Sequence, residues 1–134
     1  AGQGLALERL VMVDVPDPTA WGPVVATLVG AFDLVMVAPR HRVGAADVRR
    51  LAARCRERGS VLLRLGDGPW PGRLDLRLVV GGAAWVGPDG GHGRLCSRRA
   101  GVTASGRGME YTGRRTELLL PGPDGVTTGV TTGA

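Results

Sequence analysis

The apolar positions along the chain follow two different rhythms, with the change near Trp70. In the first part, Leu10-Val11-Met12-Val13 is a short continuous apolar run that stops at Asp14 and the Pro16-Asp17-Pro18 breaker. Such a run predicts a first strand buried on both faces. Thr19 is placed to cap a helix with Trp21 and Pro23 in its first turn, and Val24, Val25, Leu28 and Val29 recur at helical spacing before Gly30. Leu34-Val35-Met36-Val37 predicts a second strand, ended by Pro39. The clearest helix spans Ala45 to Arg58: Val48, Leu51, Ala52 and Cys55 share one face, most arginines lie away from it, and Gly59 stops it. Val61 to Leu65 predicts a third strand. Strand, helix, strand, helix, strand with short links is the pattern of parallel βαβ units, in which helices cover the faces of a sheet.

After Gly66-Asp67-Gly68-Pro69-Trp70-Pro71-Gly72 the pattern changes to short alternating runs: Leu74 to Val80, Ala84 to Val86, Arg94 to Ser97, Val102 to Ala104 and Glu117 to Leu120. Gly81-Gly82, Pro88-Asp89-Gly90-Gly91 and Arg107-Gly108 divide them, which predicts antiparallel hairpins extending the sheet. The expected fold class is therefore α/β, a parallel βαβ sheet extended by antiparallel hairpins, over one domain at residues 1–123. Residues 124–134, with the near-repeat Gly125-Val126-Thr127-Thr128-Gly129-Val130-Thr131-Thr132-Gly133, hold too little apolar content to pack and are expected to be a disordered tail.

The length of 134 residues and 43% hydrophobic content suit one domain with a real core rather than two independent ones. The chain opens with Ala1-Gly2-Gln3-Gly4 and no initiator Met, and reads as a piece of something longer. Lys and Arg together number 17 and every one is Arg, a bias that GC-rich coding produces, although Arg also gives bidentate recognition of phosphate and carboxylate. The formal charge of +5 permits contact with nucleic acid or an acidic protein without requiring either. Cys55 and Cys96 have no metal-binding spacing and read as small residues of a reducing cytosol. No uninterrupted apolar stretch of membrane-spanning length and no signal sequence is visible, so a cytoplasmic chain without a membrane partner is expected.

A phosphate-binding loop needs a glycine-rich turn feeding a helix, a Lys for the β and γ phosphates, and a Ser or Thr for magnesium. Without a single Lys, this chain cannot contain that motif. Leu34 to Val37 ends in Ala38-Pro39 rather than in a metal-holding acid, and Asp14, before a proline turn, reads as a turn former. Gly81-Gly82 and Gly90-Gly91-His92-Gly93 read as hairpin turns, and His41 and His92 as isolated surface histidines. No catalytic residue, cofactor or metal ligand is expected. The arginines carry the remaining chemistry. Arg40 and Arg42 follow the second strand, Arg49, Arg50, Arg54, Arg56 and Arg58 ride the helix, and Arg94, Arg98, Arg99, Arg107, Arg114 and Arg115 punctuate the hairpins. A solvated face explains each group separately; a phosphate-tracking or acidic-partner surface requires them to converge in space.

Several segments carry a family resemblance: Gly4-Leu5-Ala6-Leu7-Glu8-Arg9-Leu10, then Phe32-Asp33-Leu34-Val35-Met36-Val37, Val48-Arg49-Arg50-Leu51-Ala52-Ala53-Arg54 and Gly59-Ser60-Val61-Leu62-Leu63-Arg64-Leu65. Asp75-Leu76-Arg77-Leu78 and Thr116-Glu117-Leu118-Leu119-Leu120-Pro121 continue the register. Their order resembles the second half of the RecA core, and more closely the ImuA-type accessory proteins of damage-induced mutagenesis. The resemblance implies a partial RecA-like domain in which both mobile DNA-binding loops are shortened, to Ala38–Ala45 and Gly66–Arg73, with Leu65-Gly66 where RecA has a polar strand end. It also implies a non-catalytic accessory subunit of translesion synthesis. Its partners would be an ImuB-type Y-family-like protein, an error-prone polymerase III alpha-type subunit and RecA. Candidate docking surfaces are the helix arginines Arg49, Arg50 and Arg54 and the late set Arg94, Arg98, Arg99, Arg107, Arg114 and Arg115. Three other readings remain open: a DNA-binding module built on the late arginines, part of a RecA-fold ATPase whose phosphate loop lies upstream, and an unrelated α/β domain with a β extension.

Overall fold

The computed structural model describes residues 6–86, 97–107, 113–120 and 127–130. The chain divides into two compact units, Met12–Arg73 and a second formed by Ala1–Val11 with Leu74–Ala134.

The Met12–Arg73 unit is a helix followed by a parallel strand–helix–strand: α1 (Pro18–Ala31), β1 (Leu34–Val37), α2 (Ala45–Arg58) and β2 (Val61–Arg64). Asp17, not Thr19, caps α1, its carboxylate accepting the Thr19 N–H at 2.9 Å and the Thr19 hydroxyl at 2.8 Å. Pro18 occupies the first turn, where its missing N–H costs nothing. Asp47 in the first turn of α2 and Arg56 and Arg58 in its last complement the helix dipole, and Gly59 ends it at φ 67°, a left-handed conformation that glycine adopts without strain. Two bonds then set β2 beside β1, from the Ser60 hydroxyl to the Val29 carbonyl at 2.8 Å and from the Val61 N–H to the Asp33 carbonyl at 2.8 Å.

β1 and β2 pair in parallel, Leu34 opposite Val61 and Met36 opposite Leu63. Because side chains alternate along a strand, Val35 and Val37 face the helices and are buried in one cluster with Trp21, Val25, Val29, Val43, Val48 and Leu51. Leu62, Cys55 and Trp70 pack at its margin. The other face is open: Leu34, Met36, Val61 and Leu63 are 53%, 56%, 57% and 37% exposed.

The expected first strand does not form. Leu10–Val13 pairs with no strand among the described residues, the preceding residues Leu7–Arg9 make a 3-10 turn, and Met12 is 91% exposed. A run of apolar residues becomes a strand only where a ladder and a face to bury against are available, and neither reaches this one.

In the second unit, β3 (Leu76–Val86), β4 (Ser97–Gly106), β5 (Arg114–Leu119) and β6 (Thr128–Gly129) form an antiparallel sheet in sequence order. This corrects the expected extension of the parallel sheet, since these strands make a sheet of their own. Gly81-Gly82 is not a hairpin turn. The register moves from Gly81 opposite Gly101 to Ala84 opposite Arg99, so one extra residue is accommodated within a single strand, with Gly82 at φ 61°. A left-handed glycine at a β-bulge does this at low cost. β6, inside the expected tail, pairs Gly129 with Leu118 and Thr128 with Leu119. The Pro88-Asp89-Gly90-Gly91 turn, Arg94 and Cys96 lie outside the described residues, as does most of the tail.

Truncating the centre of the helical layer should be costly. Leu51, 1% exposed, changed to Ala is expected to lose about 2–5 kcal/mol in urea unfolding, whereas Met12→Ala should stay within about 0.5 kcal/mol. The two hydrogen bonds from Thr19 hold the Asp17 carboxyl below its ordinary value of 3.8. A depressed folded-state pKa means that the ionised cap stabilises the fold above that value and that the benefit is lost as pH falls through the lower, folded one. Melting curves of the native chain and of Asp17→Ala should therefore differ at neutral pH and converge as the medium is acidified below the carboxylate range.

Candidate functional site

Two parallel strands put the ends of both at the same edge of the pair, and in α/β proteins ligands gather outside the carboxyl ends of the strands. Here the loop after β1 and the loop after β2 enclose a cleft of about 290 Å³. Arg40, His41 and Arg42 line it from the first loop, and Arg64, Gly68 and Pro69 from the end of β2 and the second loop. Among the described residues no carboxylate lines it. Arg40 and Arg42 are exposed, and His41 and Arg64 are half-buried.

Arg64 is the most constrained of these groups. Its Nη1 donates to the Gly66 carbonyl at 2.7 Å, and a Cβ built on Gly68 would lie 2.8 Å from its Nη2, so the glycine lets the loop fold across the guanidinium. Its Nε is buried and has no hydrogen-bond partner among the described residues. His41 meets the buried Trp21 edge to face, the ring centroids 5.4 Å apart, which ties one wall of the cleft to the core. Arginine forks and an imidazole without a neighbouring carboxylate can bind an anion; they do not assemble a nucleophile and its base.

Within each unit the fold sorts the described arginines that were expected to form partner surfaces. On α2, Arg49 is exposed, Arg50 pairs with Asp47 at 3.6 Å, and Arg54 pairs with Glu57 at 3.7 Å. Both pairs are local and solvent-exposed, so each contributes at most about 1 kcal/mol. Arg50 and Arg54 also line a shallow groove beside Ala26 and Thr27 of α1. In the antiparallel sheet the register divides the late arginines. Arg99 and Arg115 share a face with Arg77, Thr103, Ser105 and Glu117 and with the apolar Val79 and Leu119, whereas Arg98 and Arg114 share the opposite, more apolar face with Leu76, Leu78, Val80, Val102 and Leu118. Arg107 follows β4 in a turn, and Arg94 is outside the described residues.

On the polar face, Arg99 pairs with Glu117 at 3.8 Å, and Arg115 lies over Gly101, where an added Cβ would stand 3.1 Å from Nη2. Sequence reasoning missed Arg77 and the role of Arg64. Both are single charges in apolar runs, and a charge that interrupts a strand near its end is the signal that could have found Arg64. Burial pushes the Cys55 thiol above its ordinary value, only partly offset by Arg56, so it is protonated at neutral pH and a poor nucleophile. Among the described residues no group of His, Cys, Asp and Glu is arranged to hold a metal ion, and no helix is long and apolar enough to cross a membrane.

The sequence profile of the MT3502 N-terminal domain matches residues 1–72. The match ends beside Arg73, the last residue of the α-helical unit. No curated protein sequence and no solved structure matches the chain. With more than half its length matched, the chain belongs to the MT3502 N-terminal domain family.

Proposed function

We propose that this chain is a non-catalytic accessory module that acts in the cytoplasm by docking another protein, in the role that its ImuA-type resemblance implies. On this reading it belongs to damage-induced mutagenesis and translesion DNA synthesis, and its first partner is an ImuB-type Y-family-like protein. An error-prone polymerase III alpha-type subunit and RecA are further candidates. The finer description of the fold, a portion of a RecA-like core, is part of the same proposal; the parallel β1–α2–β2 unit is compatible with it.

One observation carries the docking reading. Parallel strands are ordinarily covered on both faces, yet Leu34, Met36, Val61 and Leu63 stand side by side on the open face of β1 and β2. An apolar surface of this kind marks an interaction site more often than a tolerated exposure, and its burial supplies the driving force of a protein interface. The absence of Lys, which removes a phosphate-binding loop from within the chain, favours binding over hydrolysis.

A second reading, a DNA-binding module, is favoured by a different surface. Arg77, Arg99 and Arg115 lie on one sheet face with the hydroxyl-bearing Thr103 and Ser105 and a single carboxylate, Glu117. Guanidinium and hydroxyl donors are the groups that contact phosphate backbones.

Size-exclusion titration of the 134-residue chain against the ImuB-type protein, the polymerase subunit and single-stranded DNA, at low and moderate salt, separates the two readings. Salt-resistant binding to the protein partner that Met36→Asp weakens by about thirtyfold or more, the scale of an interface hot spot, is the expected result. Binding to DNA alone, with affinity falling steeply with salt and lost in Arg99→Ala and Arg115→Ala but not in Arg98→Ala, would replace the docking reading with the second.

A further inference from the structure

We infer that the cleft at the carboxyl ends of β1 and β2 is a binding site for a phosphate group carried by a small molecule. Three observations converge on it. Arg40 and Arg42 follow β1, Arg64 ends β2, and the parallel pairing brings all three with His41 around one volume of about 290 Å³. Among the described residues no carboxylate lines that volume, so these wall groups do not balance the cations' mutual repulsion. Arg64 is held in advance by its bond to the Gly66 carbonyl and by the close passage of Gly68, while its buried Nε is left without a partner among the described residues.

The choice of phosphate follows from donor number and size. Three guanidinium forks and an imidazole offer more N–H groups than the two oxygens of a carboxylate can accept, whereas a phosphate monoester presents three strong acceptor oxygens. Arginine matches phosphate with two parallel hydrogen bonds. The volume lies at about the lower limit of small-molecule pockets, roughly 300 Å³, which accommodates a phosphate together with part of the molecule that carries it. The ligand is therefore inorganic phosphate itself or a molecule, such as a nucleotide, that inserts its terminal phosphate. The inference does not rest on the docking reading above, since the described residues that line the cleft include none of Leu34, Met36, Val61 and Leu63.

The test is calorimetric titration and thermal melting of the whole chain with inorganic phosphate and, separately, with adenosine triphosphate, at ionic strength held constant with sodium chloride. A saturable heat and a matching rise in melting temperature are expected. Arg64→Gln and Arg42→Gln should each weaken the affinity by about tenfold or more, the loss expected for a charged hydrogen bond, while Arg56→Gln, on the exposed side of α2, should leave it unchanged. Saturation by phosphate alone identifies the free ion as the carrier, and tighter saturation by the nucleotide identifies a terminal phosphate; either supports the site. Should Arg64→Gln prove unfolded by circular dichroism, Arg42→Gln decides. The inference is overturned if neither ligand saturates beyond the effect of chloride, or if affinity is the same with Arg42 replaced.

Discussion

The burial of one face of a two-stranded parallel pair beneath two helices is the constraint on which the α-helical unit depends. A parallel pair cannot be closed by a tight turn and needs a crossover connection, which α2 supplies while its Val48 and Leu51 join Val35 and Val37 in one buried cluster. Leu51 and Val29 are its largest fully buried side chains, contributed by α2 and α1. Burial of each such side chain is worth about 1.5–3 kcal/mol, and a unit with only eight buried core residues has little reserve. The Ser60 hydroxyl bonded to the Val29 carbonyl and the left-handed Gly59 ensure that α2 ends where β2 must begin.

That same economy explains the two surfaces from which function is argued. With both helices contributing to a single core beside Val35 and Val37, the alternation that buries these residues leaves Leu34, Met36, Val61 and Leu63 outward. The parallel direction, not shared by the antiparallel sheet, is what places the arginines after β1 beside the arginine ending β2. One pairing event thus generates an apolar face across the strands and a cationic cleft at their ends.

The elements legible in the sequence were those whose signals were local. α2 was readable from end to end because its apolar period, its dipole-matched charges and its terminal Gly59 agree with one another. β1 and β2 were readable as apolar runs between a helix and a breaker. Leu10–Val13 carried the same local signal and failed, because a strand is completed by its neighbours and none of the described residues pairs with it. Gly81-Gly82 was equally ambiguous: paired glycines serve a turn or a bulge, and the ladder on both sides decided for the bulge. The candidate site was legible in composition but not in geometry. The arginines were visible; which of them share a face depends on strand register, and Arg64 acquired its significance only when parallel pairing brought it to the loop holding Arg40 and Arg42.

The antiparallel sheet shows why a cluster in sequence need not be a cluster in space. Neighbouring residues of a strand point to opposite faces, so each of the dipeptides Arg98-Arg99 and Arg114-Arg115 delivers one cation to either side. Arg99 and Arg115 join Arg77 on the polar face, leaving Glu117 as the one carboxylate among three guanidinium groups. Arg98 and Arg114 instead share the other face with Leu76, Leu78 and Val80, which are 49%, 53% and 56% exposed. Charges beside an exposed apolar surface limit its indiscriminate pairing with other chains, and they leave a polar margin of the kind that surrounds the apolar centre of protein interfaces. The two faces consequently suit different chemistry: one presents donors to an anion, the other presents apolar area that is restrained by charge. Both come from the same pair of arginine dipeptides, and a one-residue change of register would exchange their roles.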